Sequence, residues 1–389
     1  MTEKVVVLGA GYAGAGAVQR LEDELEHADA ELTWISEHNY HLVLHEAHRV
    51  ISDPSVEDDI TIPVGDIAAP STEFVQARVE GVDTDERTVE LDTDETVDYD
   101  YLLVALGSQT AYYGIPGMED HALTLKSLDD AHEIHEQVKE AASTASRNDP
   151  AQVVIGGAGL SGIQSAGEVA EFRDEHRAPI DIYLVEALEE IMPGQDSELQ
   201  GTVRRHLEEA DVEIMTDDPI TEATEDAIHF DEGDPLDHDV FVWTGGITGQ
   251  DALDGCNLDN EHNRVTCESD FRTSDDRVFA IGDSAIVDQG DDPAPPTAQA
   301  AWQAAEVAGQ NVARAINDQP LETWTYEDKG TLISIGEKAV AHDVKAGGVS
   351  VPVRTFNSYP AQFLKKAVAA RWIADLTSVP RALKAWDSL

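Results

Sequence analysis

The sequence predicts an α/β fold built from two Rossmann-like dinucleotide-binding domains. A short apolar strand, a glycine-rich turn and the start of a helix occur together twice, at Lys4–Gly14 and again at Ala151–Gly162. In a G-x-G-x-x-G turn the first glycine makes a tight bend, the second lets the backbone approach a pyrophosphate, and the third lets the helix pack against the strand. Both copies have this spacing. Their glycines are Gly9, Gly11 and Gly14 in the first loop, and Gly157, Gly159 and Gly162 in the second.

An acidic residue ends the second strand of each unit, at the position that accepts hydrogen bonds from an adenosine ribose. In the first unit this residue is Glu37, and in the second it is Glu186. Glu189 and Glu190 follow closely and no arginine lies in the next few positions, so a 2′-phosphate would be repelled. The second unit therefore favours NADH over NADPH, although an acid that only faces solvent is the alternative for Glu186.

Two dinucleotide sites in one chain indicate a flavoenzyme, because one site holds a resident FAD and the other admits an exchangeable nicotinamide nucleotide. The predicted strand Val278–Ile281 runs into Gly282 and Asp283, which suit the ribityl chain of FAD through close backbone approach and a carboxylate acceptor. This pair assigns the first loop to FAD and the second to NADH. Gly107, after a buried strand, and Ala298, at a helix start, complete the predicted FAD contacts.

A helix is predicted from Ala298 to Ile316, with Thr297 as its N-cap. If its first turn faces the pyrimidine side of the flavin, the positive end of the helix dipole would stabilise the negative charge that grows there on reduction. Gln299 and Gln303 are four residues apart, and we therefore expect them on one face of these first turns.

Charge is the unusual property of the composition. The chain has 78 acidic and 25 basic residues and a formal net charge of −53. A nucleic acid partner is excluded, because phosphate binding requires a basic surface. Acidic residues occur along most of the chain, and molar salt, which shortens the Debye length to about 3 Å, would relieve their repulsion. We therefore expect a salt-loving, halophilic host.

The two cysteines, Cys256 and Cys267, form no C-x-x-C motif, which excludes the usual redox-active disulfide of thioredoxin-reductase-like flavoenzymes. So few cysteines suit a reducing cytosol. The first strand begins almost at the first residue, so we expect no signal peptide. We also expect no transmembrane helix, because no apolar run approaches the roughly eighteen residues that one requires.

Residues 361–389 differ from the rest of the chain because they carry five basic and two acidic residues. Leu364, Val368, Trp372 and Leu376 recur at helical spacing on one broad face, and lysine and arginine stems can lie beside them. We expect amphipathic basic helices that bind an anionic membrane surface. Packing on the protein's own acidic body, or against a second copy in a homodimer, is the alternative.

The motifs resemble those of type II NADH:quinone oxidoreductases, which are peripheral membrane flavoproteins with two dinucleotide-binding domains. The shared segments are VVVLGAGYAG at Val5, NYHL at Asn39, YDYLLVALGS at Tyr99, GIPGMEDHAL at Gly114, the second glycine loop, VEALEEIMPG at Val185, FVWTGGI at Phe241, VFAIGD at Val278, PPTAQAAWQ at Pro295 and YEDKG at Tyr326. The resemblance implies that hydride passes from NADH to FAD and that electrons then reach a membrane quinone without proton pumping, at the cytoplasmic face of the cell membrane.

The resemblance also implies roles for single residues. In that family an Ala-Gln-x-x-x-Gln segment lines the quinone pocket beside the flavin, which would bring Gln299 and Gln303 there. Lys329 matches a family lysine close to the flavin, with an ordinary surface lysine as the alternative. Gln164 stands near the nicotinamide where the family usually has glutamate, so a charge is lost, and Glu168 one turn later could compensate.

A cluster of histidines marks a further departure from the family. The cluster comprises His41, His45 and His48. After the shared Asn39-Tyr40-His41, the residues His45, Glu46 and His48 replace the usual proline and apolar residues, and Leu106 stands in place of a threonine. The i, i+4, i+7 spacing of the histidines could line one face of a helix. Spacing alone is weak support for a metal site. We therefore predict no metal and prefer packing beside the flavin or the quinone.

Sulfide:quinone oxidoreductases have the same fold and a similar quinone side, but they need cysteines flanking the flavin, and one of these positions is Leu160 here. Sulfide oxidation is therefore the second interpretation, and an FAD-binding redox sensor or interaction protein is the third. The predicted FAD-binding domain is discontinuous and comprises residues 1–115 and 247–325. Residues 116–246 form the predicted NADH-binding domain, and residues 326–389 form a C-terminal region.

Overall fold

The chain forms two parallel β-sheets with helices packed on them, as the repeated pattern predicts. The computed structural model describes residues 2–26, 28–346 and 349–389. The α-helices of these ranges are Tyr12–Leu25, Glu57–Ile60, Met118–His121, Leu128–Thr144, Leu160–His176, Ser197–Glu209, Ala298–Ile316, Tyr359–Leu376 and Val379–Ala385. Their 3₁₀-helices are Leu44–Ile51, Pro54–Val56, Val64–Asp66, Asp251–Leu253 and Gly282–Ser284.

The first sheet contains the first glycine loop at the end of its central strand. Its strands, in spatial order, are Val278–Ala280, Tyr101–Val104, Glu3–Leu8, Ala30–Ser36 and Glu73–Gln76. Neighbouring strands run parallel, and the central one is buried, with Val5 to Leu8 at most 1% exposed. Strands that are buried on both faces have continuous apolar runs in their sequence, which explains the VVVL segment. Three predicted strands are confirmed, namely the one that leads to Glu37, the buried one before Gly107, and Val278–Ile281.

The second sheet repeats this arrangement around the second glycine loop. Its parallel strands, in spatial order, are Val212–Thr216, Ile180–Glu186, Ala151–Gly156 and Val240–Trp243. The order of the strands reverses between Ala151–Gly156 and Val240–Trp243. In open α/β sheets a ligand binds outside the carboxyl ends of the strands at such a reversal.

The chain crosses between the two sheets twice. The short strands Gln109–Thr110 and Ile247–Thr248 pair antiparallel at this crossing. The last strand of the first sheet, Val278–Ala280, therefore follows the whole second sheet in the sequence. Both crossing strands lie within a few residues of the predicted domain boundaries.

The remaining strands form small antiparallel sheets. The alternating apolar residues from Phe74 to Val97 predict an antiparallel meander. Glu73–Gln76 instead joins the first sheet as a parallel edge strand, where Phe74 packs on Trp34. The meander begins only at Val79. The antiparallel groups are Val79–Asp83, Thr88–Leu91 and Thr96–Asp98; Tyr40–Leu42 and Thr61–Pro63; Ile220–Ala223, Ala227–Phe230 and Leu236–Asp237; Thr331–Ile335, Lys338–His342 and Thr355–Asn357; and Lys345–Ala346 and Val349–Ser350. Asn260–Glu261, Arg264–Cys267 and Ala285–Val287 form a mixed sheet.

The C-terminal hairpin, Thr331–Ile335 and Lys338–His342, packs on the helix Leu160–His176 of the second unit. The contact is close, because a Cβ atom on Gly167 would lie 2.5 Å from the amide nitrogen of Gly336. Only a glycine at residue 167 permits this approach.

The predicted C-terminal helices are present, but the face that packs inward differs from the expectation. Trp372 and Leu376 are 2% exposed, and the ring of Trp372 stacks on Tyr12 with their centroids 4.7 Å apart. These side chains fill space beside the first glycine loop, so they are not available to a membrane. Phe363 and Leu383 remain exposed. Nowhere in the described ranges does a helix combine the length and the apolarity needed to cross a bilayer.

A buried ionic cluster fixes this helix pair to the body of the protein. The carboxylate of Glu46 is fully buried and lies 2.6 Å from the ammonium nitrogen of Lys365 and 2.6 Å from Nε of Arg49. Burial alone would raise the pKa of Glu46, but the two cations hold that pKa well below its ordinary value. The alternative weighed for the basic tail, packing on the acidic body, therefore holds for Lys365.

We expect Lys365→Met to lower the free energy of unfolding by about 3–5 kcal/mol, because Glu46 would lose one of its two buried cations. Lys384→Met is the matched control, since that ammonium is exposed and lies 3.9 Å from Asp59. Its loss should change stability by less than about 1 kcal/mol. Denaturant unfolding of both variants measures the difference, and equal losses would contradict the assigned role of Glu46.

We also expect the thermal midpoint of unfolding to rise when KCl is increased from about 0.1 M to about 2 M, because the added ions screen the acidic surface. A net charge of −53 makes this repulsion large. Thermal unfolding followed by circular dichroism measures the effect. A lower midpoint in molar salt than in dilute buffer would overturn the expectation of a halophilic host.

Candidate functional site

The first glycine loop is closed at its ends and open in its middle. A Cβ atom on Gly9, where φ is +99°, would lie 2.3 Å from the carbonyl oxygen of Ala105, and one on Gly14 would lie 1.9 Å from the carbonyl oxygen of Gly9. No side chain fits at either position. A Cβ atom on Gly11 would meet nothing within 4 Å. The loop therefore presents free backbone to a ligand at its second glycine, as the spacing predicts.

A cleft of about 380 Å³ lies in front of this loop and brings together residues from distant parts of the chain. Among its lining residues are five of the predicted FAD contacts, namely Gly9, Gly11, Glu37, Gly107 and Asp283. The remaining predicted residues do not line it. Gly14 and Gly282 are used in close packing within the fold, and Ala298 packs at the start of its helix.

The cleft also contains a cation that sequence reasoning missed. The ammonium nitrogen of Lys126 lies 3.3 Å from the hydroxyl of Ser108, which donates a hydrogen bond to Asp283 at 3.1 Å. Burial lowers the pKa of Lys126. A half-buried ammonium beside a glycine loop suits a pyrophosphate. The capping box of Ser127 and Asp130, which fixes the backbone at this lysine, is a sequence signal that could have drawn attention to it.

The second glycine loop has the same geometry as the first. A Cβ atom on Gly157, where φ is +93°, would lie 2.8 Å from Cα of Gly245, and one on Gly162 would lie 1.9 Å from the carbonyl oxygen of Gly157. Gly159 corresponds to Gly11 and is open, with nothing within 4 Å of an added Cβ atom. Both loops therefore leave room for a phosphate-bearing ligand at the same point.

Glu186 is fixed at the second loop and does not simply face solvent. The residue is 8% exposed. Its carboxylate accepts hydrogen bonds from the backbone amides of Ala158, at 2.8 Å, and Leu188, at 3.1 Å. A neighbouring cavity of about 570 Å³ is lined by Leu188, Glu189 and Glu190, among others. Glu186 and the acids of this cavity mark the end of the crevice where an adenosine ribose is expected, and they disfavour a 2′-phosphate.

Gln299 and Gln303 lie on one face of the helix Ala298–Ile316, as expected, and both side chains hold the segment Tyr326–Gly330. The amide of Gln299 donates to the carbonyl of Gly330 at 3.1 Å and accepts from the amide of Lys329 at 2.7 Å. Gln303 makes the equivalent pair of bonds to the backbone of Glu327. These two glutamines therefore bind a backbone segment. Lys329, which lies in that segment, is exposed.

Gln164 and Glu168 face the histidine-containing segment of the first unit. The amide nitrogen of Gln164 donates to the hydroxyl of Ser334 at 3.1 Å and to Nε2 of His48 at 3.2 Å. Glu168 is buried and accepts from the hydroxyl of Ser52 at 2.5 Å. Burial raises the pKa of Glu168 and so favours its neutral form, which limits its ability to replace a lost negative charge.

The histidines do not share one helical face. His41 lies in the strand Tyr40–Leu42, whereas His45 and His48 lie in a 3₁₀-helix, whose three-residue turn changes the expected spacing. Nδ1 of His41 donates to the carbonyl of Ala10 at 2.8 Å, and its Nε2 accepts from the indole of Trp372 at 2.8 Å. Both ring nitrogens are thus occupied, and burial lowers the pKa of His41 to about 4.

His45 and His48 each make a further link between elements. Nδ1 of His45 shares a hydrogen bond of 2.5 Å with the phenol of Tyr12, the residue after Gly11. Nε2 of His48 accepts from Ser334 at 2.8 Å. Within the described ranges, no group of histidine, cysteine, aspartate and glutamate side chains is arranged to hold a metal ion. The three histidines connect the first glycine loop with the C-terminal hairpin and helices.

Both cysteines are buried and unpaired. Cys267 packs in the core of the first unit, where burial raises the pKa of its thiol to about 12. A thiol with such a pKa is a poor nucleophile at neutral pH. Neither cysteine lies at the second glycine loop, where Leu160 begins the helix.

Comparisons with known proteins agree with this geometry. Residues 3–305 match the family model described as pyridine nucleotide-disulphide oxidoreductase. The chain is 29% identical to proteins named type II NADH:quinone oxidoreductase from Staphylococcus saprophyticus and from Staphylococcus aureus, over 98% of this chain and 98% of each relative.

Solved structures share the fold at lower identity. NDH2 from Plasmodium falciparum in complex with NADH superposes with a TM-score of 0.82 at 15% identity, covering 99% of this chain and 98% of that one. The sulfide:quinone oxidoreductase from Aquifex aeolicus superposes with a TM-score of 0.79 at 16% identity, covering 97% and 92%. The expected resemblance to type II NADH:quinone oxidoreductases is confirmed by the curated relatives, and the chain belongs to the pyridine nucleotide-disulphide oxidoreductase family.

Proposed function

We propose that the protein is a type II NADH:quinone oxidoreductase, which oxidises NADH and reduces a membrane quinone without proton pumping. The observation that carries this proposal is the pair of glycine loops with one geometry, each open at its middle glycine. Relatives named for this activity align with 98% of the chain. Bound FAD would accept hydride from NADH and pass the electrons to the quinone.

The first cleft is the proposed FAD site. Gly11 and Gly107, which have open space where a side chain would be, leave the backbone free to approach the cofactor. Glu37 would accept hydrogen bonds from the adenosine ribose, and Asp283 would accept one from the ribityl chain. Lys126 would balance the charge of the pyrophosphate, which matters in a chain with a net charge of −53. The residues in this cleft therefore fit FAD.

The crevice in front of the second glycine loop, which runs from Glu186 past Gly159 to Gly245, is called the second crevice. It is the proposed NADH site. Gly159 leaves the start of the helix Leu160–His176 open, so its amides and dipole can meet the pyrophosphate. Glu186 is held at the end of its strand and would accept from the ribose hydroxyls. Glu189 and Glu190 would repel the extra phosphate of NADPH.

The quinone is proposed to enter near Gln299 and Gln303, on a side of the flavin separate from NADH. The role of these glutamines would be to hold the backbone of Tyr326–Gly330, and with it Lys329, beside the reacting groups. Gln164 would supply a hydrogen bond, without a charge, near the nicotinamide. Positioning of this kind supplies a large part of the rate of group transfer.

We expect anaerobic NADH to bleach the flavin absorbance of the holoenzyme and a soluble quinone to restore it within one turnover. NADPH serves as the control donor and should reduce the flavin poorly because of the acids around Glu186. Stopped-flow absorbance measures both half-reactions. A flavin that stays oxidised with NADH would overturn the proposal.

The same experiment separates the two alternative functions. A sulfide:quinone oxidoreductase would be bleached by sulfide and not by NADH, and a redox sensor would be reduced by NADH but reoxidised only slowly by quinone. The burial of Cys256 and Cys267 disfavours sulfide oxidation, because neither thiol is available beside the proposed cofactor sites. The 16% identity to the sulfide:quinone oxidoreductase structure supports the fold alone.

The C-terminal helix pair is proposed to bind the anionic cytoplasmic face of the cell membrane. Its exposed apolar side chains are Tyr359, Phe363, Val368, Val379 and Leu383. Exposed cations, Arg371 and Lys384, lie on the same two helices. Apolar side chains with nearby cations suit the interface of an anionic bilayer.

We expect the double variant Phe363→Glu, Leu383→Glu to lose binding to vesicles of phosphatidylcholine and phosphatidylglycerol, because two charges would enter the apolar face. Ser143→Glu, Thr144→Glu is the control, with two charges added at exposed positions of the second unit. Co-sedimentation measures binding. Unchanged binding of the first variant would contradict the proposal, and conversion of a dimer to a monomer would assign this face to a second copy.

A further inference from the structure

Outside residues 326–389, the described part of the chain exposes few large apolar side chains. They are Leu44, Tyr113, Leu160 and Leu188. Leu44 lines the first cleft, Leu160 begins the helix after the second glycine loop, and Leu188 lines the cavity beside Glu186. Exposed apolar groups that collect at a crevice indicate a ligand. Tyr113 is the member of this group that the proposed function assigns to neither cofactor site.

The order of the groups along the second crevice can be read from the sheet. Glu186 ends the strand Ile180–Glu186 and marks the adenosine end. The glycine loop ends the next strand and marks the pyrophosphate. The strand Val240–Trp243 lies beyond it, and Gly245 follows that strand in van der Waals contact with Gly157. A dinucleotide lying across these strand ends therefore has its nicotinamide half over Gly245.

Tyr113 lies over this same position. Its hydroxyl donates to the carbonyl of Gly245 at 3.3 Å, and a Cβ atom on Gly246 would lie 1.9 Å from that hydroxyl. Glycine at residue 246 is therefore required for the phenol to lie there. Tyr113 is 68% exposed as a residue although its hydroxyl is hydrogen-bonded, which leaves the ring accessible to a ligand.

The backbone of Tyr113 has an uncommon conformation, which also indicates that this position is specifically held. Its φ is +54°, in the left-handed region that non-glycine residues seldom occupy. The surrounding segment is the crossing between the two sheets, which begins at the first cleft with Gly107 and Gln109. The crossing thus holds an exposed aromatic ring at the end of the second crevice that faces the first.

We propose that Tyr113 is a positioning residue that covers the nicotinamide half of the bound nucleotide. This inference rests on the proposed function, because it takes the second crevice as the NADH site. The phenol ring offers the flat nicotinamide an aromatic surface, and it offers the positively charged ring of NAD⁺ a cation–π contact. The ring thereby limits the nicotinamide to orientations that point toward the first cleft.

The test compares binding of NAD⁺ with binding of ADP-ribose, which lacks the nicotinamide, to the oxidised holoenzyme. Calorimetry should show that Tyr113→Ala weakens NAD⁺ binding about five- to tenfold, the range expected for loss of one aromatic contact. ADP-ribose binding should change by less than about twofold, because that ligand ends before the ring. Tyr113→Phe, which keeps the ring, should retain most of the NAD⁺ affinity.

A contrasting variant at the adenosine end completes the design. Leu188→Ala should weaken NAD⁺ and ADP-ribose alike, because both ligands contain the adenosine that Leu188 borders. Flavin content and thermal midpoint confirm that each variant is folded. If Tyr113→Ala weakened NAD⁺ and ADP-ribose binding equally, Tyr113 would only support the structure of the crevice, and the inference would fail. Unchanged NAD⁺ affinity in that variant would also overturn it. If the unmodified protein bound neither ligand, the proposed function itself would fail.

Discussion

The buried carboxylate of Glu46 is the interaction on which much of the architecture depends. A charge that is fully out of water is tolerated only with close partners. Glu46 has two, Arg49 in the same 3₁₀-helix and Lys365 near the other end of the chain. This requirement brings the C-terminal helix to the first glycine loop, where Trp372 stacks on Tyr12. The two C-terminal helices are thus part of the core of the first unit.

The two glycine loops differ in their surroundings more than in their backbone. Both close against a neighbouring strand and both are open at the second glycine, so each can accept a pyrophosphate. The first loop faces a half-buried cation, Lys126, whereas the second is bordered by acids such as Glu189. A cation within the cleft suits a cofactor that stays bound, and acids at the adenosine end suit a nucleotide that must be selected and released. One repeated motif can therefore serve a resident and an exchangeable ligand.

Features set by local sequence were predictable, and features set by long-range contact were not. The strands around both loops and the capped helix at Ala298 follow from apolar runs, glycine spacing and the N-cap rule, and they are found as expected. The place of Lys126 beside Asp283 was not predictable, because they come from segments far apart in the chain. The inward face of the helix Tyr359–Leu376 was not predictable for the same reason. Its apolar periodicity resembles that of a membrane-binding helix. The contact of Trp372 with Tyr12 shows that this face packs on the protein instead.

The C-terminal hairpin contacts both units, and this has a consequence for the rate of electron transfer. Gln299 fixes the segment before the hairpin to the first unit, while Gly167 lets the hairpin lie directly on a helix of the second. Hydride transfer requires the reacting atoms to be held within a few tenths of an ångström of about 3–3.5 Å. The hairpin is placed to act as a spacer that sets the distance between the two crevices. Bulk added at residue 167 would separate them, so turnover would fall while each crevice kept its affinity for its own ligand.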